Sequence, residues 1–305
     1  MDNRLLTALL LLMTAVWGCT FTVVKDATTA YGVFSFLAVR FSIGLLCLSA
    51  FAWRNFEKKS FLAGLGIGIP LAMGYLLQTW GLKYTTPTNS GLITSFLVIA
   101  APLFNRMLFG VRTRPVLWAA ICLTMAGMLC LTGIGWSPLA LGDSMTLGAA
   151  IAFGLQIALL DRYAKHFSAL SVATGQTAAA AAIFLVAWPL TEPVCRPNGG
   201  VWTAILLTGI VATAGGFYVQ TLAQRKLPAV RFVVIVSLEA VFALLFGYVL
   251  AGDRLMGIQI FGAILMLAAV VLVEIVPIIL PRIRETDIEK ASPVVLPGEE
   301  NLSAD

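Results

Sequence analysis

Charge is scarce in this 305-residue chain: Asp, Glu, Lys and Arg make up 11% of it, against about 25% in soluble domains. With 59% hydrophobic residues, the side chains cannot cover a water-exposed surface, so lipid is the expected solvent. Histidine occurs once, as His166, beside Asp161, Arg162 and Lys165 in what reads as a solvated link. No His-Glu-x-x-His pair, nucleophile elbow or pair of intramembrane aspartates occurs, so an enzyme is not expected, and neither is a metal or a cofactor. Four of the five cysteines (Cys19, Cys47, Cys122 and Cys130) lie inside apolar runs and Cys195 in a link. They read as small apolar side chains rather than ligands or disulfides. The net charge of +5 gives no reason to expect a nucleic-acid partner.

What the chain does contain is long apolar runs. A membrane helix needs roughly 17–25 of them in sequence, and ten such runs follow one another from Leu5–Val24 to Met256–Leu280, joined by short links. Arg106 interrupts the fourth. The first is too long for a signal-peptide core and has no cleavage site, so it reads as a retained span. Residues 281–305 mix charges with Pro293 and Pro297 and read as a disordered cytoplasmic tail. Placing the links alternately on two sides puts 15 Lys and Arg on one side and 4 on the other, with Arg40 inside a span. That bias predicts cytoplasmic termini, in a cell inner membrane.

The chain also repeats itself. Gly74–Pro102 is echoed from Gly216 onward: Gln78-Thr79 and Gln220-Thr221 lie 142 positions apart, and Pro87 and Pro228 lie 141 apart. At an offset of 136, Trp17-Gly18 falls on Phe153-Gly154 and Arg40 on Gln176. Residues 1–134 and 135–280 thus read as two five-helix units. Five is odd, so the second enters the membrane from the opposite side. The expected fold is an all-α membrane protein with ten transmembrane helices in two inverted five-helix repeats, a transporter plan with substrate near midplane.

Gly64 and Gly68 form a small-residue face, as does Ala178–Ala182, and both predict close helix packing. Pro70 and Pro102 lie inside spans three and four and predict bends. Six tryptophans, among them Trp53, Trp80, Trp118, Trp136, Trp188 and Trp202, fall near span ends, where indoles prefer to lie. Trp17 instead falls near mid-membrane, as a helix-packing residue or as a cavity wall opposite Phe153. Polar residues within spans (Tyr75, Gln78, Thr79, Asn89, Ser95, Gln156, Tyr218 and Gln220, with Gln176 and Ser237) either bond neighbouring helices or line a shared wet cavity. Arg40 and Glu239 are intramembrane charges and call for a function by default. Their depths differ along the spans, so direct pairing is not expected.

The segments AVWGCTFTVVK (Ala15–Lys25), LAVRF (Leu37–Phe41), GLKYTTPTNSGLI (Gly81–Ile93) and SLEAVFALLFG (Ser237–Gly247) carry a resemblance to a known family. With them the chain resembles the drug/metabolite transporter superfamily, in its EamA-type branch of exporters, over about residues 5 to 280. The resemblance implies export of amino acids or other small metabolites through a cavity between the halves, and marks Trp17, Arg40 and Glu239. Members similar to it include aromatic amino-acid exporters. Where the family often reads Glu-Pro, this chain has Glu239-Ala240, which removes the proline expected to kink span nine.

The expected function is therefore alternating-access export of an amino acid or similar small metabolite. The side chain would meet Trp17, Phe153, Tyr75 and Tyr218, and the polar groups Gln78, Asn89 and Gln156. The expected partners are the small-molecule substrate and the lipid bilayer, and a monomer is an allowed state. Proton antiport through Glu239 and movement down a gradient both stay open. Two rival readings are a carrier for nucleotide sugars or other phosphorylated metabolites, which needs more cavity cations than Arg40, and a non-transporting membrane receptor or assembly partner, which needs longer exposed segments.

Overall fold

No water reaches a backbone inside lipid, so each crossing segment must satisfy its own N–H and C=O groups, as a helix does. The computed structural model describes residues 3–111, 113, 115–131, 140–251 and 256–279, and among these every regular element is helical. The expected tail, the unit boundary at 134/135, Trp136, Arg112, Arg114 and Arg254 lie outside the described residues. Nine helical stretches among the described residues are long and apolar enough to cross a membrane, and Leu117–Leu131 is a shorter apolar tenth. The protein is an all-α membrane protein.

The first three spans are α1 (Asn3–Tyr31), α2 (Val33–Ala52) and α3 (Lys58–Gly81). Only Gly32 separates α1 from α2, at φ 97°, where an L side chain is strained. The fourth span is two half-helices, α4 (Pro87–Thr94) and α5 (Leu97–Phe109), and the fifth is α6 (Pro115–Leu131). Then come α7 (Leu141–Tyr163) and α8 (Ala169–Thr191). Span eight runs through α9 (Gly199–Leu206), a π-helical stretch Leu207–Gly215 and α10 (Gly216–Lys226). Span nine is again two half-helices, α11 (Ala229–Val236) and α12 (Glu239–Ala251), before α13 (Gly257–Ile279). Thr86 starts α4 by accepting from the Asn89 N–H at 3.1 Å, with Pro87 in the first turn.

The two interruptions fall at equivalent places. Ser95-Phe96 and Ser237-Leu238 lie 142 positions apart, the offset of the two Gln-Thr pairs. At both the hydrogen bonds tighten to three-residue spacing, from Phe96 N–H to Ile93 O and from Leu238 N–H to Ile235 O, each 3.1 Å. The Ser95 hydroxyl donates to the Ser237 carbonyl at 3.3 Å, so the breaks touch. Pro102 and Pro70 remain inside continuous helix. The break in span four is therefore not at the proline, and span nine breaks without one.

Glycine contacts repeat with the same offsets. A Cβ on Gly18 would meet Phe242 Cβ at 2.6 Å, and one on Gly154 would meet Ala100 Cβ at 2.5 Å. Gly154 is the mate of Gly18 and Ala100 the mate of Phe242, so the contact between spans one and nine recurs between spans six and four. That exchange between halves is what a two-fold relation requires. On α3, a Cβ on Gly68 would meet Gln176 O at 2.5 Å and Ala179 Cβ at 2.6 Å, seating the small-residue faces of α3 and α8 together. Gly66 faces nothing within 4 Å. Gly66→Ala should therefore leave the thermal midpoint in detergent unchanged or raised, while Gly68→Ala lowers it by several degrees; equal effects would contradict this packing.

A carboxylate ties the halves at the end of the bundle where α1 finishes. Glu192, just past α8, accepts from the N–H groups of Val33 (2.8 Å) and Ser35 (2.9 Å) and from the Ser35 hydroxyl (2.5 Å), capping α2. Burial pushes the Glu192 carboxyl up, but the hydrogen bonds from Ser35, Phe34 and Val33 outweigh it and hold the carboxyl below the usual glutamate range. A lowered pKa contributes stability above the ordinary glutamate value and loses it as pH falls through the lowered one. Acidification below about pH 4 should lower the thermal midpoint, and Glu192→Gln should flatten that part of the profile; an unchanged profile would remove the cap from the pH response.

Candidate functional site

The broken and π-helical spans converge on one interior space. A cavity there is lined by side chains that include Trp17, Tyr75, Gln78, Phe153, Gln156 and Gln220. A smaller chamber adjoins it and shares Trp17, Tyr75, Gln78 and Glu239, while adding Thr20, Arg40 and Thr79. Of the residues singled out in the sequence, eight line one space or the other: Trp17, Arg40, Tyr75, Gln78, Thr79, Phe153, Gln156 and Gln220, with Glu239 facing both.

Tyr75 is the hub of the aromatic wall. Phe153 meets it edge-on at 5.2 Å and 76°, Phe41 at 5.1 Å and 78°, and Phe217 at 5.8 Å and 74°. Gly74 makes room for Phe153, because a Cβ there would come within 2.5 Å of its ring. Trp17 is 8% exposed, and its indole N–H donates to the Ala212 carbonyl at 2.9 Å. Gly216 lets span eight approach that ring, 2.9 Å from where its Cβ would stand. Trp17 thus packs between helices and forms cavity wall at once.

Arg40 holds the next residue of the same π-helical stretch. Its Nε donates to Thr213 Oγ1 at 3.0 Å, and its guanidinium carbon lies 4.7 Å from the centre of the Tyr75 ring. Two side chains of the first half therefore grip adjacent positions, Ala212 and Thr213, of a π-helical segment, a geometry frequent at functional sites. Glu239 is the first residue of α12, at the positive end of that half-helix. No ion pair joins it to Arg40 among the described residues.

A chain of amides closes the other half. Gln156 donates to Gln176 at 2.9 Å, Gln220 to Gln156 at 3.1 Å and to Gln224 at 3.3 Å, and Gln224 to the Ile157 carbonyl at 2.9 Å. On the first half, Gln78 donates to Thr94 at 3.0 Å. Ser95 lies at the contact of the two breaks rather than on a cavity wall. Asn89 and Tyr218 are corrections: Asn89 is exposed in the first turn of α4, and Tyr218 is 37% exposed. At the offset of 142 the mate of Tyr75 is Phe217, and Tyr218 points about 100° further round the helix. Gln224, Thr94 and Thr213 were missed as site residues; the four-residue spacing from Gln220 was the available signal for Gln224.

Comparison with known proteins shows the family. The model of the EamA-like transporter family matches twice, at residues 5–133 and 140–275. The chain belongs to the EamA-like transporter family. This EamA-like chain is 34% identical to an uncharacterized transporter of Archaeoglobus fulgidus over 271 residues, 87% of this chain and 84% of that protein. It is 27% identical over 240 residues to the threonine/homoserine exporter RhtA of Salmonella typhimurium, covering 76% and 78% of the two. A crystal structure at 21% identity shares its fold, with a TM-score of 0.71 over 88% of this chain and 96% of that one.

In this EamA-like transporter, Phe217→Ala and Gln156→Ala should each cut flux by about tenfold, the worth of one lost wall contact or buried hydrogen bond. Asn89→Ala and Tyr218→Phe should leave flux near that of the unaltered protein. A vesicle assay in which the second pair is the more damaging would contradict the cavity drawn here.

Proposed function

We propose that this transporter exports amino acids or closely similar small metabolites, aromatic ones among them, and that it works by alternating access. The observation that carries the reading is an aromatic and amide-lined cavity at the meeting point of two broken helices, one from each half. Broken helices at midplane are where transporters of this plan bind substrate, because freed backbone groups and half-helix ends are available there. The likeness to a threonine/homoserine exporter supports the amino-acid part.

An asymmetry supports the alternating part. Carried over by the repeat offsets, Thr20, Arg40, Gln78, Thr79 and Leu82 of the smaller chamber become Gln156, Gln176, Gln220, Thr221 and Gln224. The first set surrounds open space. The second is hydrogen-bonded into one network, including a contact from Gln176 to Thr221 at 3.5 Å. We read the first cluster as the accessible pathway of this state and its mate as the packed one. Exchanging those roles is one transport step. The Lys and Arg bias puts both termini in the cytoplasm of a cell with this protein in its inner membrane. Arg40 is the one cavity cation among the described lining residues, which leaves a phosphorylated substrate without a neutralising cluster.

Purified protein in lipid vesicles, loaded with labelled amino acids in turn, should move at least one of them faster than empty vesicles do. Vesicles that move no amino acid and no apolar metabolite would overturn the reading.

A further inference from the structure

A cationic and an acidic side chain face the smaller chamber with no ion pair between them. Arg40 reaches it from α2 and is only 2% exposed, while Glu239 reaches it from the start of α12. Among the described residues neither forms an ion pair, and the Glu239 carboxylate has no hydrogen-bond partner. An unpaired charge within a membrane protein is unfavourable. Two of opposite sign on one small space are both relieved by a single ligand that carries the complementary pair.

We propose that Arg40 and Glu239 are the two poles of a head-group site for an α-amino-acid zwitterion, with the guanidinium taking the carboxylate and Glu239 taking the ammonium. This rests on the amino-acid reading above and deepens it. The bond from Arg40 Nε to Thr213 and the Tyr75 ring beneath the guanidinium hold the fork in one orientation. A fork so held matches a planar carboxylate.

The two spaces then divide the ligand between them. Arg40 lines only the smaller chamber, whereas Glu239 lines both, together with Trp17, Tyr75 and Gln78. A head group placed between Arg40 and Glu239 sends its side chain into the larger cavity, among Phe153, Phe217 and Ile157. Selection is therefore strict for the zwitterion and tolerant of side-chain size and shape.

The test is calorimetric binding to the purified full chain. All twenty amino acids are titrated, with two analogue series: L-phenylalanine, phenethylamine and 3-phenylpropanoate; and L-threonine, 1-amino-2-propanol and 3-hydroxybutanoate. For an amino acid that binds, the analogue lacking either charge should bind about tenfold more weakly or worse. In Glu239→Gln the penalty for losing the amine should vanish while the penalty for losing the carboxylate stays. Arg40→Gln should show the reverse. A merely structural role would weaken all ligands alike, and that outcome, or analogues within about twofold of the parent, overturns the two-pole site. Binding by no amino acid at all overturns the substrate reading itself. If Arg40→Gln does not fold, the analogue series on the unaltered protein and on Glu239→Gln still decides.

Discussion

A backbone inside lipid has no water to bond, and the centre of this protein depends on how that constraint is met where helix is interrupted. At Ser95 and Ser237 the chain tightens to three-residue bonds, and the hydroxyl of one break donates to the carbonyl of the other. Each interruption thus stabilises its counterpart, and both must sit inside protein. The cavity lies beside them for the same reason. The polar groups that make room for a ligand are tolerated only where the other half covers them.

The π-helical stretch of span eight meets the constraint in a second way. Its wider turn keeps the backbone bonded, while Ala212 and Thr213 present an acceptor each to Trp17 and Arg40. These contacts come from the opposite half of the chain. Together with the Glu192 cap on α2, they join the two units at one end of the bundle. The equivalent positions of the second unit are instead bonded to one another through glutamine amides. The two halves therefore share a plan but differ in their polar contacts.

Much of the site was legible in advance because repetition fixed registers. The offset that aligned Gln78 with Gln220 also aligns Tyr75 with Phe217 and Ser95 with Ser237. Phe217, an apolar residue, carried no polar signal of its own, and only its register with Tyr75 marks it as cavity wall. Asn89 was misplaced because a polar residue at a helix start reads the same whether it faces a cavity or the solvent. Pro102 drew attention as a bend, yet proline's missing N–H is tolerated within α5, and the break forms at a serine instead. The Glu192 cap had no signal in its own segment, since its partners lie more than 150 residues away.

By itself the sequence determined that this chain crosses a membrane about ten times, in two related sets of helices, and which residues are polar inside them. Those follow from composition and spacing, which are local properties summed along the chain. Only the tertiary structure decided that Arg40 and Glu239 share a chamber, that Trp17 and Arg40 grip one π-helical segment, and that Gln156, Gln176 and Gln220 bond into one network. Such facts depend on the rotation and approach of helices far apart in sequence, where a few ångströms separate a hydrogen-bonded network from a cavity.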